Sequence, residues 1–212
     1  MTAMTRKEIE FHFDFGSPNA YLAYQLLPGI AERHGATIRH VPVLLGGVFR
    51  DTGNRSPAEA YAGIENKLNY ERLEMQRFIA RHGITRFRRN PFFPVNTLRL
   101  MRGAVAARHL GVFAEYLDTV FKGMWEEQLN MGDPDIAGAA ISNAGLDAEA
   151  ILAAAETQPV KDELLANTRR AVAQGDFGSP TFHVEGEIYF GKDRLRDVED
   201  HLIGLETAAA GR

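Results

Sequence analysis

An α/β fold, in which a small sheet-containing unit is interrupted by an all-helical block, is predicted by three observations. A β-α-β pattern opens the chain, a β-β-α pattern closes it, and residues 56–175 between them show only helical periodicity and helix caps. The predicted division places residues 1–55 and 176–212 in the first, discontinuous unit and residues 56–175 in the helical one. With 212 residues and 45% hydrophobic content, the chain can bury one sizeable core.

Residues 8–15 alternate, with Ile9, Phe11, Phe13 and Phe15 on one side and Glu10, His12 and Asp14 on the other, the period of a strand. Gly16-Ser17-Pro18 breaks it, and the apolar spacing from Tyr21 predicts a helix ending near Gly35, with Pro28 expected to kink or break it. Ile38 to Leu45, rich in β-branched residues, predicts a second strand, parallel to the first with a right-handed crossover. In the middle block, Ser56-Pro57, Asn96-Thr97, Asp133-Pro134 and Asp147 read as helix starts, and Gly83, Gly111, Gly145 and Gly175 as stops. Thr181–Val184 and Glu187–Phe190 read as a hairpin turning at Glu185-Gly186. A last helix from Asp193 to Leu205 precedes a tail expected to fray. This order is that of a thioredoxin-like domain with an inserted all-helical domain.

Composition excludes several function classes. Lys and Arg number 24 against 28 Asp and Glu, for a net charge of −4, and no basic run is long enough to track phosphates, so no nucleic-acid partner is expected. The short stretch Arg86, Arg88, Arg89 reads as a solvated loop. There is no cysteine, hence no disulfide, no thiolate metal site and no thiol redox chemistry of the chain's own. The N-terminal MTAMTRKEIEFHFDF lacks a continuous apolar stretch, so neither a leader nor a membrane association is expected, and a cytoplasmic location is. His12, His40 and His183 lie on or beside predicted strands without metal-ligand spacing, and no metal site is expected. Met75, Met101, Met124, Met131 and Trp125 read as core or dimer-interface residues.

Three segments could carry chemistry. Ser17-Pro18-Asn19-Ala20 follows the first strand, at the point where redox members of the thioredoxin superfamily hold a Cys-x-x-Cys whose thiolate is stabilised by backbone N–H groups and the helix dipole. Here the thiolate would have to come from a ligand. A serine hydroxyl suits that role, because a hydrogen bond to a charged group is worth about 1.5–3 kcal/mol and could lower a thiol pKa from about 8.5 by roughly one to two. Taken alone, Ser17 reads first as a helix N-cap before Pro18 at the first helical position, and it is the flanking sequence that favours the functional reading. Gly178-Ser179-Pro180-Thr181 precedes a strand, where a cis-proline could offer its neighbour's backbone to an extended peptide, or where an ordinary loop proline could enter an edge strand. Lys192 and Asp193 sit at the start of the last helix, where Asp193 could bind the charged ends of a γ-glutamyl group or serve as a first-turn acidic residue. A serine nucleophile with a histidine base is disfavoured, since Ser17 precedes proline and lacks a Gly-x-Ser-x-Gly elbow.

Together, FDFGSPNAYLA, PVLLGGVFRDTGNRSP, NPFFPVNTLRLMRG and FGSPTFHVEGEIYFGKDRL resemble successive landmarks of the 2-hydroxychromene-2-carboxylate isomerases and their relatives, the kappa-class glutathione transferases. The resemblance implies a homodimer that binds glutathione as cofactor between Ser17, the loop of Ser179 and cis-Pro180, and the Lys192-Asp193 turn. It implies that Ser17 holds the thiol, that Asn54 approaches the same centre, and that Arg55, Lys67, Phe92 and Phe93 line the pocket for a small aromatic or unsaturated keto acid. Tyr70 is a further candidate, although YAGIENKLNYE departs from the basic, proline- and glycine-containing approach of many relatives. The implied reaction is glutathione-dependent isomerisation within aromatic compound catabolism. A kappa-like transferase that releases a conjugate, and a non-catalytic thioredoxin-like protein that binds peptides, are the alternatives.

Overall fold

The computed structural model describes residues 7–210. Strands β1 (Glu8–Phe13), β2 (Thr37–Pro42), β3 (Thr181–Val184) and β4 (Glu187–Phe190) form one sheet in the order β2-β1-β3-β4. β1 and β2 are parallel and joined through helix α1 (Pro18–Arg33), while β3 runs antiparallel to both β1 and β4. The fold is therefore the expected thioredoxin-like α/β arrangement. Because β1 is central and covered on both faces, its two alternating sets are both buried: Phe11 and Phe13 on one side, His12 and Asp14 on the other.

Helix α2 (Leu45–Thr52) follows β2, and α3 (Pro57–Ala60), α4 (Glu65–Arg81), α5 (Leu98–His109), α6 (Phe113–Trp125), α7 (Pro134–Asn143), α8 (Ala148–Ala155) and α9 (Gln158–Ala173) make up the helical stretch. A 3-10 turn at Lys192–Arg194 leads into α10 (Leu195–Ala210). Most buried residues of these helices and of the sheet form one continuous cluster, from Ile9 and Phe182 through Tyr116 and Trp125 to Ile141 and Leu202, with Val41, Val43 and Ala171 in a small second one. Met101, Met124, Met131 and Trp125 are buried within it. Each fully buried aromatic or aliphatic side chain contributes roughly 1.5–3 kcal/mol. Trp125 also fastens the helices to the sheet, since its Nε1 donates to the Phe15 carbonyl at 2.8 Å.

Three expectations need correction. The second strand ends at Pro42 rather than Leu45, because the next amides leave the ladder: Leu44 N donates to Thr168 Oγ1 at 3.0 Å and Leu45 N to the Asp14 carboxylate at 2.8 Å, starting α2. Helix α1 runs unbroken through Pro28, which faces solvent while Leu27, Ile30 and Ala31 are buried. The last helix extends to Ala210, beyond Leu205; of the tail 208–212, residues 211–212 lie outside the described residues, as do residues 1–6 of the N-terminal segment. The four expected helix starts are found, with capping by Ser56, Asp133 and Asp147 side chains. Gly83, Gly111, Gly145 and Gly175 all take positive φ just past helix ends. The hairpin turns through Glu185 and Gly186, both at positive φ. Among the described residues, no helix is long and apolar enough to cross a membrane.

His40 on β2 is surrounded by the rings of Phe11, Phe13, Tyr24 and Phe113, at centroid distances of 5.8–6.4 Å. Burial, helped by the nearby Arg108 guanidinium, pushes its pKa down from 6.5 to about 4. The unfolded chain therefore takes up this proton at a higher pH than the folded one. The stabilisation is complete above pH 6.5 and is lost as pH falls through about 4. We expect His40→Phe to retain on the order of 2–3 kcal/mol that the parent chain loses over this window. Urea denaturation of both proteins at pH 7, 5.5 and 4 measures it; parallel losses in the two would contradict the assignment.

Candidate functional site

The β1–β3 pairing aligns His12 with Thr181, so the residues leaving β1 stand beside those entering β3. Ser17 and Ser179, 162 positions apart in the chain, meet there. Ser17 is the N-cap of α1, with extended backbone (φ −94°, ψ 113°) and Pro18 at the first helical position. Its Oγ accepts from Ala20 N at 3.1 Å and donates to the Ser179 carbonyl at 2.8 Å. The Ser179–Pro180 bond is cis, as expected. Ser179 Oγ in turn accepts from Asp14 N at 3.1 Å. Ser17 is 5% exposed and Ser179 9%, so the pair lies at the floor of the surface rather than on it.

The turn holding Ser17 is fixed by a residue that sequence reasoning did not single out as functional. Asp14 is buried, and its carboxylate accepts from Gly16 N and Leu45 N, each at 2.8 Å. Burial pushes its pKa up, opposed by those two amides and by Thr97. An acidic residue one turn before a serine helix start was the available signal. Phe15, next along, has its N–H directed at Met101 Sδ (3.4 Å) and its carbonyl at Trp125, so the turn is held from both the α2 and the α5–α6 sides.

The third expected segment is joined to the second, since Gly191 N donates to the Pro180 carbonyl at 2.9 Å. Lys192 is buried, with Nζ 4.5 Å above the Phe78 ring and bonded to both Asp193 carboxylate oxygens at 2.7 and 2.8 Å. Asp193 is 70% exposed, so its outer edge is the part a ligand can reach. Asn54 reaches the same loop: its Nδ2 donates to the Phe177 carbonyl at 2.6 Å and its Oδ1 accepts from Arg55 N at 2.8 Å. The structure thus gathers Ser17, Asn54, Ser179, Pro180, Lys192 and Asp193 around one loop.

The expected pocket residues are less tightly drawn in. Phe93 is half-buried with its ring centroid 5.8 Å from that of Trp125, one contact removed from the Phe15–Ser17 turn, and Phe92 is exposed. Arg55 and Tyr70 are exposed, and Lys67 Nζ lies 3.8 Å over the Tyr61 ring. Two aromatics beside the loop went unnoticed in the sequence. Phe177 and Phe190 lie with ring centroids 4.3 Å apart, both about two-fifths exposed, and the Phe190 ring fills the space that a Cβ at Gly178 would need. No metal site was expected, yet His12, Asp176 and His183 converge behind this loop.

The geometry has counterparts. The sequence profile of the DSBA-like thioredoxin domain matches residues 8–203. A 2-hydroxychromene-2-carboxylate isomerase of Pseudomonas putida is 28% identical over 196 residues, covering 92% of this chain and 93% of that protein. Glutathione S-transferase kappa 1 of Homo sapiens is 24% identical over 212 aligned positions, covering 93% and 91%. A solved structure of a 2-hydroxychromene-2-carboxylate isomerase superposes with a TM-score of 0.80 at 27% identity, covering 96% of this chain and 98% of that one.

Two substitutions separate support of the turn from the hydroxyl it presents. Asp14→Asn turns an N–H₂ against one of the two backbone donors and leaves the other a neutral acceptor, and is expected to cost about 2–3 kcal/mol. Ser17→Ala removes a cap and one neutral hydrogen bond and is expected to cost about 1–2 kcal/mol. Denaturant unfolding of both variants gives the order, and a larger loss for Ser17→Ala would show that Asp14 does not hold the turn.

Proposed function

The chain belongs to the DSBA-like thioredoxin domain family, and we propose that it is a glutathione-dependent isomerase acting on 2-hydroxychromene-2-carboxylate or a close analogue. The coarser statement, an enzyme of the isomerase kind, follows from the isomerase relatives and the matching isomerase structure. The finer reading rests on one observation: a helix-capping hydroxyl, Ser17 Oγ, held 2.8 Å from the carbonyl that precedes cis-Pro180, where no cysteine is present.

The residues suit a peptide thiol. Ser17 Oγ–H can turn from the Ser179 carbonyl toward a sulfur, while the amides at the start of α1 add positive potential. That rotation releases the Ser179 carbonyl, which then accepts an N–H from an extended ligand, in the manner of an added strand. The exposed edge of Asp193 fits the ammonium of a γ-glutamyl group, and Lys192 keeps that carboxylate oriented. Bound glutathione would supply a thiolate that adds to the α,β-unsaturated keto acid, makes the double bond single for rotation, and leaves again unconsumed. Arg55 or Lys67 would place positive charge near the developing enolate, and Phe92 and Phe93 would contact the aromatic ring. A homodimer in the cytoplasm completes the reading.

The kappa transferase relative, matched over nearly the whole chain, favours a second reading in which the same thiol site conjugates an electrophile and releases the adduct. The ultraviolet spectrum of 2-hydroxychromene-2-carboxylate, followed with enzyme alone, with glutathione, and with Ser17→Ala plus glutathione, distinguishes the two. The isomerase reading expects conversion to trans-o-hydroxybenzylidenepyruvate that requires glutathione and leaves total thiol constant. Loss of one charge-assisted hydrogen bond should lower kcat/KM by roughly 10- to 100-fold in the variant. Thiol consumption would point to the transferase, and conversion without glutathione would refute both.

A further inference from the structure

We propose that His12, Asp176 and His183 form a binding site for one divalent transition-metal ion of the zinc type, a property separate from the thiol-dependent activity. The antiparallel register pairs Glu10 with His183 and His12 with Thr181, so the two histidines lie diagonally on one face of the sheet, with ring centroids 4.7 Å apart. Asp176, in the loop after α9, comes up between them. Its Oδ2 is 2.8 Å from His12 Nδ1 and its Oδ1 is 2.7 Å from His183 Nε2. His12, Asp176 and His183 are all buried, His183 the least so.

Two imidazoles and a carboxylate are a donor set suited to zinc, with a fourth position left over. A tetrahedral ion with bonds of about 2.0–2.1 Å needs ligand atoms roughly 3.3 Å apart. In the structure one donor atom from each residue lies within 4.8 Å of the other two, and the His–Asp contacts of 2.7 and 2.8 Å run to different carboxylate oxygens, so an ion has to draw these donors to a common spacing. The surroundings match what such sites require. His12 Nε2 lies 3.2 Å from the Glu10 carboxylate, so both ring nitrogens of one imidazole face carboxylates. A neutral imidazole has one N–H: given to Glu10, it leaves the Nδ1 lone pair for an ion, the arrangement in which a carboxylate orients a metal-bound histidine.

Charge and access agree. Arg39 pairs with Glu10, and Arg170 reaches Glu10 at 4.0 Å, so the cations that face the cluster engage the outer carboxylate and not Asp176. A cleft of about 390 Å³ lined by Glu8, Glu10, Gln174, His183, Glu185 and Gly186 opens beside His183, an acidic entrance for a cation. Three residues after Asp176 comes Ser179, so an ion here would pin the loop that contributes to the Ser17 site.

The test uses the full chain without a histidine tag, stripped by a chelator and titrated with Co²⁺. The expected result is visible ligand-field absorption that saturates at one equivalent and is displaced by Zn²⁺. Zn²⁺ in hundredfold excess over its Kd should raise the Tm by roughly 5 °C or more. Asp176→Asn and His183→Gln should each weaken Co²⁺ binding at least tenfold, and Ser17→Ala should leave it unchanged. His183→Gln alters the less buried ligand and supplies the comparison should Asp176→Asn not fold. Wild-type protein with neither Co²⁺ bands nor a Zn²⁺-dependent rise in Tm would overturn the proposal, as would bands that survive His183→Gln undiminished.

Discussion

The structure depends on the antiparallel pairing of β1 with β3. Bringing those strands together closes a loop of well over a hundred residues. The entropic cost of that closure grows only with the logarithm of loop length, so the long helical stretch is tolerated once its helices bury their own apolar faces. They do so against the same core as the sheet: Trp125 from α6 and Met101 from α5 both reach the backbone of Phe15. The helical stretch thus supports the turn that leaves β1, and the turn sets the position of Ser17 relative to Ser179.

A buried carboxylate is an expensive way to hold a turn, because removing its charge from water costs several kcal/mol unless it is well bonded. Asp14 meets that condition through the amides of Gly16 and Leu45. Each of those amides would otherwise be an unpaired donor, one in the tight turn and one at the start of α2. Asp176 performs the corresponding task on the opposite strand, joining His12 of β1 and His183 of β3 to the loop that leads to Pro180. The two loops that make the site are therefore each anchored by one buried acid, with the β1–β3 pairing between them.

What could be read in the sequence was what is local. Strand alternation, the hairpin at Glu185-Gly186, proline after a capping serine, and glycine past a helix end act over a few residues, and each was found where its chemistry placed it. The starts of α4 and α6 were not marked, since Ile64 and Val112 cap them without any side-chain hydrogen bond. The premature end of the second strand was hidden for a different reason. The apolar run continues to Leu45, and only the distant partners Thr168 and Asp14 take its amides out of the ladder. The same holds for His12, Asp176 and His183. Their spacing in the chain has no ligand-like period, because sheet register brings them together, and register appears only once the strands are paired. Phe177 and Phe190 likewise become neighbours only through β3–β4 pairing.

If the site takes a thiol ligand, as proposed, the Ser17–Ser179 bond bears on what kind of thiol that is. In the present arrangement the Ser17 proton is given to a backbone carbonyl, a neutral bond worth about 1 kcal/mol. Given to a thiolate, the same proton makes a charge-assisted bond worth about 1.5–3 kcal/mol. The exchange alone is favourable by only about 1 kcal/mol, and it strands the Ser179 carbonyl, which is buried enough that leaving it unpaired costs about 1–3 kcal/mol. A bare thiol therefore gains little or nothing by displacing the resident bond. A thiol that carries its own backbone N–H at strand spacing satisfies the carbonyl it uncovers, and then the whole charge-assisted gain is realised. On the proposed reading, selectivity for an extended peptide thiol over a simple one would be a consequence of one hydroxyl having two acceptors to choose between, and it would require no additional recognising side chain.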